Sequence, residues 1–459
     1  MNYKNYPVSS NRSLIRVIEG LLEVFVLTVL YYIFWSHGYD APKFLSMFMG
    51  YGHLILVGIY AVLTLALIAA FDGLLFGYLK ISDMVLSQWM CMVIVNFVTY
   101  WQLCLISNAI LSPVPMLWLM FADAVVCFVG IFFYTWVYHK IYAPKKMVMV
   151  IGRRNSISLK FKMETRPDKY HIAKIISSDE GFDSICNQIA GYESVIINDV
   201  PAEIRNRILK FCYEKEIRTY VTPKVSDIIV RGAMDITLFD TPLLLVKGAG
   251  LTPMQRICKR CFDLVVCLVA LIVASPIMLV AAIAIKMEDG GPIFFRQARV
   301  TLNGKIFHIL KFRSMIVDAE KEGRAIPATE KDPRITKVGR LIRPCRIDEL
   351  PQLLNIIKGD MSIVGPRPER VEHMEKYSEE IPEFIYRTKV KGGLTGYAQI
   401  YGKYNTSAYD KLRLDLMYIE NYSFIQDIKL ILMTVRILFK RESTEGFEEK
   451  QKEEISGTK

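Results

Sequence analysis

Four long apolar runs occupy the first third of the chain: about Leu14 to Trp35, Tyr51 to Phe71, Met84 to Ile106 and Val114 to Val137. Each is close to the ~20 residues that an α-helix needs to cross a bilayer. The first is interrupted near its start by Arg16, Glu19, Gly20 and Glu23. It is too long for a signal-peptide core and no small-residue cleavage site follows it, so it is expected to remain as a span. Aromatic residues gather at several ends (Tyr31, Tyr32, Trp35, Tyr100, Trp101, Tyr134, Trp136, Tyr138), as interfacial anchors do. Lys4, Arg12 and Arg16 precede or begin the first run, and His139, Lys140, Lys145, Lys146, Arg153 and Arg154 follow the fourth. The loop from Ser107 to Pro113 carries no charge. Cationic flanks stay on the inner side of a membrane, so the N-terminus and everything after residue 138 are expected in the cytoplasm.

From 141 to 250 the texture changes. Met147 to Gly152 and Ser194 to Asn198 are short apolar runs of the kind that form buried strands. Ala202 to Lys215 has helical spacing through Ile204, Ile208 and Phe211, and Arg218 to Thr222 follows as a strand. This alternation predicts a Rossmann-like α/β domain with a parallel sheet. The sequence after Gly152 is Arg-Arg-Asn-Ser-Ile-Ser. The GxGxxG turn that brings main chain up to a pyrophosphate is missing, so no dinucleotide site is expected. Tyr170 and Lys174 share the Tyr-x3-Lys spacing of short-chain dehydrogenases, a pairing that chance supplies often without the glycines.

A fifth apolar stretch runs from Leu264 to Ile285, with only Ser275 and Pro276 not apolar. Its length suits a span, yet Arg256, Lys259 and Arg260 precede it and Lys286, Arg296 and Arg299 follow it. Both flanks look cytoplasmic. Pro276 lacks an N–H and clashes with the carbonyl one turn back, and Ser275 can satisfy a carbonyl that the bend frees. These facts predict a re-entrant helix over about 262–285, broken at Ser275-Pro276, against the simpler reading of a proline-kinked span. The expected organisation is thus an α-helical membrane domain (1–140), the α/β domain (141–250), a mostly α-helical domain carrying the re-entrant helix (251–440), and a charged tail (441–459).

Composition supports a mixed protein. The 459 residues are 52% hydrophobic and 22% charged, too apolar for a disordered chain and too charged for one embedded throughout. Nine cysteines, an odd number spread from Cys91 to Cys345, exclude a secreted disulfide scaffold and suit a reducing compartment. Cys258 and Cys261 form a lone CxxC with no second pair and no nearby His, too little for a metal site. The net charge is +11, and 255–346 holds 17 Lys and Arg against 8 Asp and Glu. Those cations come in short clusters: Lys311 with Arg313, then Arg334, Lys337, Arg340, Arg343 and Arg346. Arginine forks suit phosphate oxygens. Sparse aromatic interleaving and an adjoining membrane helix argue against nucleic acid. Anionic headgroups account for part of the charge, and a phosphorylated lipid or nucleotide for the rest.

Among these cations, Asp348 to Ile357 reads as a helix start. Asp348 is a good N-cap, Pro351 falls in the first turn, and Leu350, Leu353, Leu354 and Ile357 line one face before Lys358-Gly359 ends the helix. An Asp-Glu pair at a helix start is ordinarily only a cap. Here the positive helix end and the arginines would keep Asp348 ionised, as a nucleophile must be, and leave Glu349 to hold a divalent cation with substrate phosphates.

Four blocks now stand in order: Lys311-Phe-Arg-Ser-Met315, Asp348-Glu-Leu-Pro-Gln352, Gly359-Asp-Met-Ser-Ile-Val-Gly-Pro-Arg-Pro-Glu369 and Gly393-Leu-Thr-Gly396. With the Ser-Pro helix they resemble the bacterial sugar transferases, the polyprenyl-phosphate sugar-1-phosphate transferases, over about 253 to 440. The four spans and α/β domain are similar to the large members, which start capsule, exopolysaccharide or O-antigen synthesis. One departure is visible: Lys391-Gly392-Gly393 stands where the family usually has Lys-Pro-Gly. The resemblance implies a membrane enzyme of the bacterial inner membrane with a cytoplasmic catalytic domain. It would take a UDP-sugar and undecaprenyl phosphate to undecaprenyl-diphospho-sugar and UMP, with glucose-1-phosphate or galactose-1-phosphate as the expected cargo. It implies Asp348 as the nucleophile that becomes a phosphosugar adduct, and Glu349 as the Mg²⁺ ligand. Arg343, Arg367, Lys311, Arg313 and Arg387 are then expected to hold phosphates, and a homodimer through the membrane and α/β parts is compatible with the pattern. Two rivals are a nucleotide-sugar dehydratase using the α/β domain, which lacks the dinucleotide turn, and a catalytically dead scaffold, which an intact Asp-Glu pair argues against.

Overall fold

The structure is a computed structural model that describes residues 9–39, 51–71, 73–74, 81–141, 145–152, 157–246, 248, 250–317, 332–402 and 406–438. The expected tail, 441–459, and Arg153 and Arg154 lie outside these residues. The chain divides into two compact units, Met1–Thr222 and Pro223–Lys459.

The first unit opens with four helices, α1 (Ser9–Gly38), α2 (Gly52–Ala70), α3 (Ile81–Ser107) and α4 (Val114–Ile141). Consecutive helices pack together and α4 closes onto α1. All four apolar runs are helical and long enough to cross a membrane. Leu27, Tyr31, Trp35, Tyr60, Ile68, Met92, Leu103 and Leu119 fill the bundle interior, whereas Phe25, Val62, Phe97, Leu105 and Phe121 point outward. Buried polar groups pair inside it: Gln88 Nε2 donates to Glu23 Oε2 at 2.8 Å, and Asn96 Nδ2 to Asp123 Oδ2 at 2.8 Å. Polar groups that face the bundle interior rather than lipid can satisfy one another there.

The α/β part carries β1 (Lys145–Ile151), α5 (Ile157–Glu164), β2 (Tyr170–Ser177), α6 (Phe182–Ile189), β3 (Ser194–Asn198), α7 (Ala202–Glu214) and β4 (Arg218–Val221). The sheet is parallel in the order β2-β1-β3-β4. Val148, Val150, Val195 and Ile197 pack on one face and Met147, Met149 and Ile196 on the other, so both faces are covered. Strand β2 was not legible as a strand. It is an edge strand with exposed His171, Ala173 and Lys174, so it lacks the continuous apolar run of its neighbours. Tyr170 sits at its amino end, edge-on to Tyr220, 6.4 Å between ring centres. Ligands of parallel sheets bind beyond the carboxyl ends, so this Tyr–Lys spacing is not placed for a cofactor. A Cβ on Gly152 would collide with the Asp199 carbonyl, so this glycine serves strand packing.

The second unit begins with α8 (Val225–Arg231), whose Val225 and Ile228 share a core cluster with Leu353, Ile356, Phe384, Leu412 and Leu416. The stretch assigned by sequence to the α/β domain up to 250 therefore packs with the C-terminal unit from Pro223 onward. Next come the hairpin β5 (Met234–Leu238) and β6 (Thr241–Leu245), then α9 (Pro253–Asp289). Helix α9 runs 37 residues without interruption, so the expected break at Pro276 is not a gap in the helix. Ser275 Oγ donates to the Ile272 carbonyl at 2.8 Å. That carbonyl is the one Pro276 cannot serve, so the serine does what its position predicted. The antiparallel hairpin β7 (Phe294–Val300) and β8 (Ile306–Phe312) follows. Then come α10 (Lys337–Ile342), α11 (Gln352–Lys358), β9 (Ser362–Val364), α12 (Val371–Glu380), β10 (Gly393–Thr395) parallel to β9, α13 (Tyr397–Tyr401), α14 (Ala408–Glu420) and α15 (Phe424–Leu438).

Polar contacts fasten both ends of α9 to this unit. Near its start Lys259 Nζ meets Asp427 Oδ2 at 2.6 Å, Arg260 donates to the Ile356 and Ile357 carbonyls at the end of α11, and Asp263 accepts from Ser362 at 2.7 Å. At its far end Glu288 accepts from the first amides of α10, Lys337 at 2.6 Å and Val338 at 3.2 Å.

Candidate active site

The Asp348–Glu349 pair does not cap a helix. It sits in a 3₁₀ turn, Ile347–Glu349, one step ahead of α11, and Asp348 makes no capping bond. Pro351 explains the difference. Without an N–H it cannot bond back to the Ile347 carbonyl, which accepts instead from the Leu350 amide at 3.2 Å in i→i+3 geometry. Arg346, with φ at +52°, turns the chain into this corner.

Three elements converge on the pair. Lys311, next to last in β8, brings Nζ to 3.1 Å from Glu349 Oε1. Arg367, in the loop after β9, brings Nη2 to 2.7 Å from the same oxygen. Arg343, at the end of α10, acts electrostatically on Asp348. The surroundings split the two carboxyls. Burial pushes Asp348 up to about 6, against the pull of Lys311, with the charge of Glu349 adding to the rise. Burial also opposes ionisation of Glu349, but Arg367 and Lys311 outweigh it and hold that carboxyl well below the usual range. The cations were expected to keep Asp348 ionised. They do so only above about pH 6, because burial exceeds their effect. Burial lowers Lys311 as well, while Glu349 raises Arg367.

Two expected phosphate ligands lie elsewhere. Arg313 is buried and paired with Asp289 at the end of α9. Arg387, on the 3₁₀ segment Pro382–Lys389, is buried against Asp415 at 2.7 Å and Glu369 at 3.3 Å. Sequence reasoning passed over Arg299, Glu369 and Asp415. Arg299 lies half-buried beside this group, where loss of solvent and the charge of Arg367 bring it down to about 10. Glu369 was visible in the Gly-Pro-Arg-Pro-Glu block but carried no assigned role. No signal near Asp415 marked it.

Among the described residues no group of three or more His, Cys, Asp or Glu could cage a metal. Magnesium does not need such a cage, since one or two carboxylates with phosphate and water oxygens suffice. A Glu349 carboxylate that stays ionised throughout the physiological range fits that requirement.

A model of the family described as bacterial sugar transferase matches residues 254–441, which contain every group just described. A UDP-glucose:undecaprenyl-phosphate glucose-1-phosphate transferase of Klebsiella pneumoniae is 37% identical over 248 residues, 53% of this chain and 51% of that protein. The protein of the same description from Escherichia coli strain K12 is 40% identical over 211 residues, 45% of this chain and 44% of its own length. The chain thus spans about half the length of these relatives. An uncharacterized sugar transferase, EpsL of Bacillus subtilis strain 168, is 43% identical over 180 residues, 39% of this chain and 86% of that protein.

Proposed function

The chain belongs to the bacterial sugar transferase family, and from that premise we propose that it transfers a sugar-1-phosphate from a UDP-sugar to undecaprenyl phosphate, releasing UMP. The observation that carries this reading is the split carboxylate pair set among Lys311, Arg343 and Arg367. In the first half-reaction an Asp348 carboxylate oxygen attacks the β-phosphorus of the UDP-sugar. The bond to the bridging oxygen breaks, UMP departs with that oxygen, and the sugar phosphate stays on Asp348. In the second, a phosphate oxygen of the lipid attacks the same phosphorus, giving the lipid diphosphosugar and returning the free carboxylate. Arg343, Arg367 and Lys311 hold the phosphates and offset the charge that develops as UMP leaves. Glu349 would hold Mg²⁺, which supplies further charge stabilisation on the diphosphate when bound.

The lipid substrate requires a site at the membrane face, and the packing of α9 supports a re-entrant helix. Ala270 and Leu271 pack on the main core of the second unit, and Met278 and Ala281 on another cluster of the same unit. Only at 272–277 does the helix leave these clusters, and its outer face stays exposed on either side, at Val265, Leu268, Val269, Leu279, Val280 and Ile283. A helix crossing the hydrocarbon needs ~20 residues clear of any water-soluble body. A dip into one leaflet needs few, and it returns both basic flanks to the cytoplasmic side. The named relatives suggest glucose-1-phosphate as the cargo, with galactose-1-phosphate the alternative, in the first membrane step of exopolysaccharide, capsule or O-antigen synthesis.

The test is incubation with a panel of UDP-sugars and Mg²⁺ but no lipid. One of them should give a stoichiometric burst of UMP and a phosphosugar mass on Asp348, both lost in Asp348→Asn. UMP that appears only with the lipid acceptor, together with normal turnover in Asp348→Asn, would overturn the covalent route.

A further inference from the structure

Loop 365–369, between β9 and α12, carries Arg367 to Glu349. Two arginines, the half-buried Arg299 and the buried Arg387, grip its main chain at consecutive residues. Arg299 Nη1 donates to the Pro368 carbonyl at 3.1 Å, and Arg387 Nη2 donates to the Arg367 carbonyl at 2.9 Å. Arg387 is 4% exposed and Asp415 is 1% exposed. Asp415 Oδ2 accepts from Arg387 Nε at 3.0 Å and from Nη2 at 2.7 Å. Nη1 faces Glu369 Oε1 at 3.3 Å, and the Phe384 ring lies 4.9 Å from the guanidinium carbon. Glu369 ends the same loop, and its own carbonyl accepts from the Val300 amide at 3.0 Å. Nε and Nη2 are thus hydrogen-bonded to protein groups and Nη1 is ion-paired with Glu369, whereas the Arg367 side chain is 41% exposed.

We propose that Arg387, locked by Asp415, is a positioning residue: it fixes the main chain of Arg367 so that this guanidinium stands beside Glu349 and the diphosphate, and it touches no substrate itself. This rests on the transferase reading. Arg367 is long and half in solvent, so its reach is defined only as well as the main chain it hangs from. A misplacement of ~1 Å at a charged group of this kind costs up to about a hundredfold in rate. Glu369 belongs to the same lock, because it ties Arg387 to the loop that Arg387 holds.

The experiment uses the full chain in lipid nanodiscs, with Arg387→Gln, Arg387→Lys and Asp415→Asn, each made alone and together with Arg367→Ala. Arg387→Gln alone should lower kcat by roughly 10- to 100-fold, leaving KM for the UDP-sugar within about twofold. In the Arg367→Ala background it should add less than about twofold, since residues acting through one another are not additive. Arg387→Lys should recover part of the loss, because an ammonium can still donate to the carbonyl but cannot also span Asp415. Hydrogen exchange of the 362–371 amides should quicken in Arg387→Gln and Asp415→Asn. Asp415→Asn keeps shape and an acceptor oxygen, so it serves the same tests where Arg387→Gln fails to fold. A full multiplicative loss on top of Arg367→Ala, or a raised KM with kcat unchanged, would make Arg387 a direct phosphate ligand and overturn the proposal. Unchanged exchange would also overturn it. The exchange result does not depend on turnover. Absence of UMP release from every UDP-sugar by the unaltered protein would instead sink the transferase reading.

Discussion

Replacing Asp348 by Asn should abolish transfer and at the same time stabilise the fold. The carboxyl is pushed from an ordinary 3.8 to about 6, chiefly by burial. The folded state therefore favours the neutral form. Stability from this group is full below its unfolded value and is lost as pH rises through 6, so the ionised carboxylate is a standing cost at neutral pH. Two pH units correspond to about 3 kcal/mol, and partial solvent access of the side chain reduces this to about 2 kcal/mol. Asn carries no charge and escapes that cost. For a body of this size the gain is worth ~4–8 °C in Tm at pH 8. It should shrink as the pH falls through 6 and disappear near pH 4. Glu349→Gln is the opposite case. Its carboxylate is held low by Arg367 and Lys311, so it contributes stability above its unfolded value, and removing the charge leaves two cations unpaired. That variant should melt lower at pH 8. The melts should be followed by far-UV circular dichroism, because all five tryptophans lie between Trp35 and Trp136 and report the other unit. A Tm at pH 8 unchanged or lowered by Asp348→Asn, or a gain that persists at pH 4, would refute the reasoning.

Three further outcomes are expected. Because the proposed attack requires ionised Asp348, UMP release should be halved near pH 6 and fall about tenfold by pH 5; a profile flat to pH 5 would contradict the assignment. In intact cells a membrane-impermeant thiol reagent should miss both Cys258 and a cysteine placed at Met287, whereas labelling at one position alone would establish that α9 spans. A chain beginning at Pro223 should keep transferase activity, while one beginning at Thr252 loses Val225, Ile228 and Leu251 from the core and should melt lower; equal melting would show that α8 is dispensable.

What the sequence made legible was local. The membrane helices announce themselves because length and apolarity act residue by residue, and Ser275 with Pro276 because one carbonyl and one missing N–H decide the geometry. Lys311, Asp348, Glu349 and Arg367 were found because they stand in tight blocks, and the fold brings all four together. The illegible part is long-range charge pairing. Arg313 and Arg387 look like any other cation in a basic stretch, and only the fold shows Asp289 and Asp415 consuming them. Gly392 makes the same point. It stands where the family usually has proline. In the fold its amide donates to Thr301 Oγ1 at 3.1 Å, a bond that proline could not make.

Two adjacent carboxylates in one turn would ordinarily titrate alike, and the difference between them here follows from where each side chain points. Glu349 reaches two cations at once, and their attraction exceeds the burial it suffers. Asp348 is half-buried too, yet it receives those cations only at longer range and has an ionised neighbour beside it. Environments that push a pair of acids apart assign them different tasks. A carboxylate neutralised by ion pairs is a poor nucleophile but a dependable anchor for cations. One that is desolvated and weakly paired is the more reactive, provided the pH keeps it ionised. On that argument the proposed order of roles, attack by Asp348 and charge-holding by Glu349, would be set by Lys311 and Arg367 as much as by the pair itself. Arg367→Ala should then raise the Glu349 carboxyl toward its ordinary value and weaken the distinction on which the two proposed half-reactions would depend.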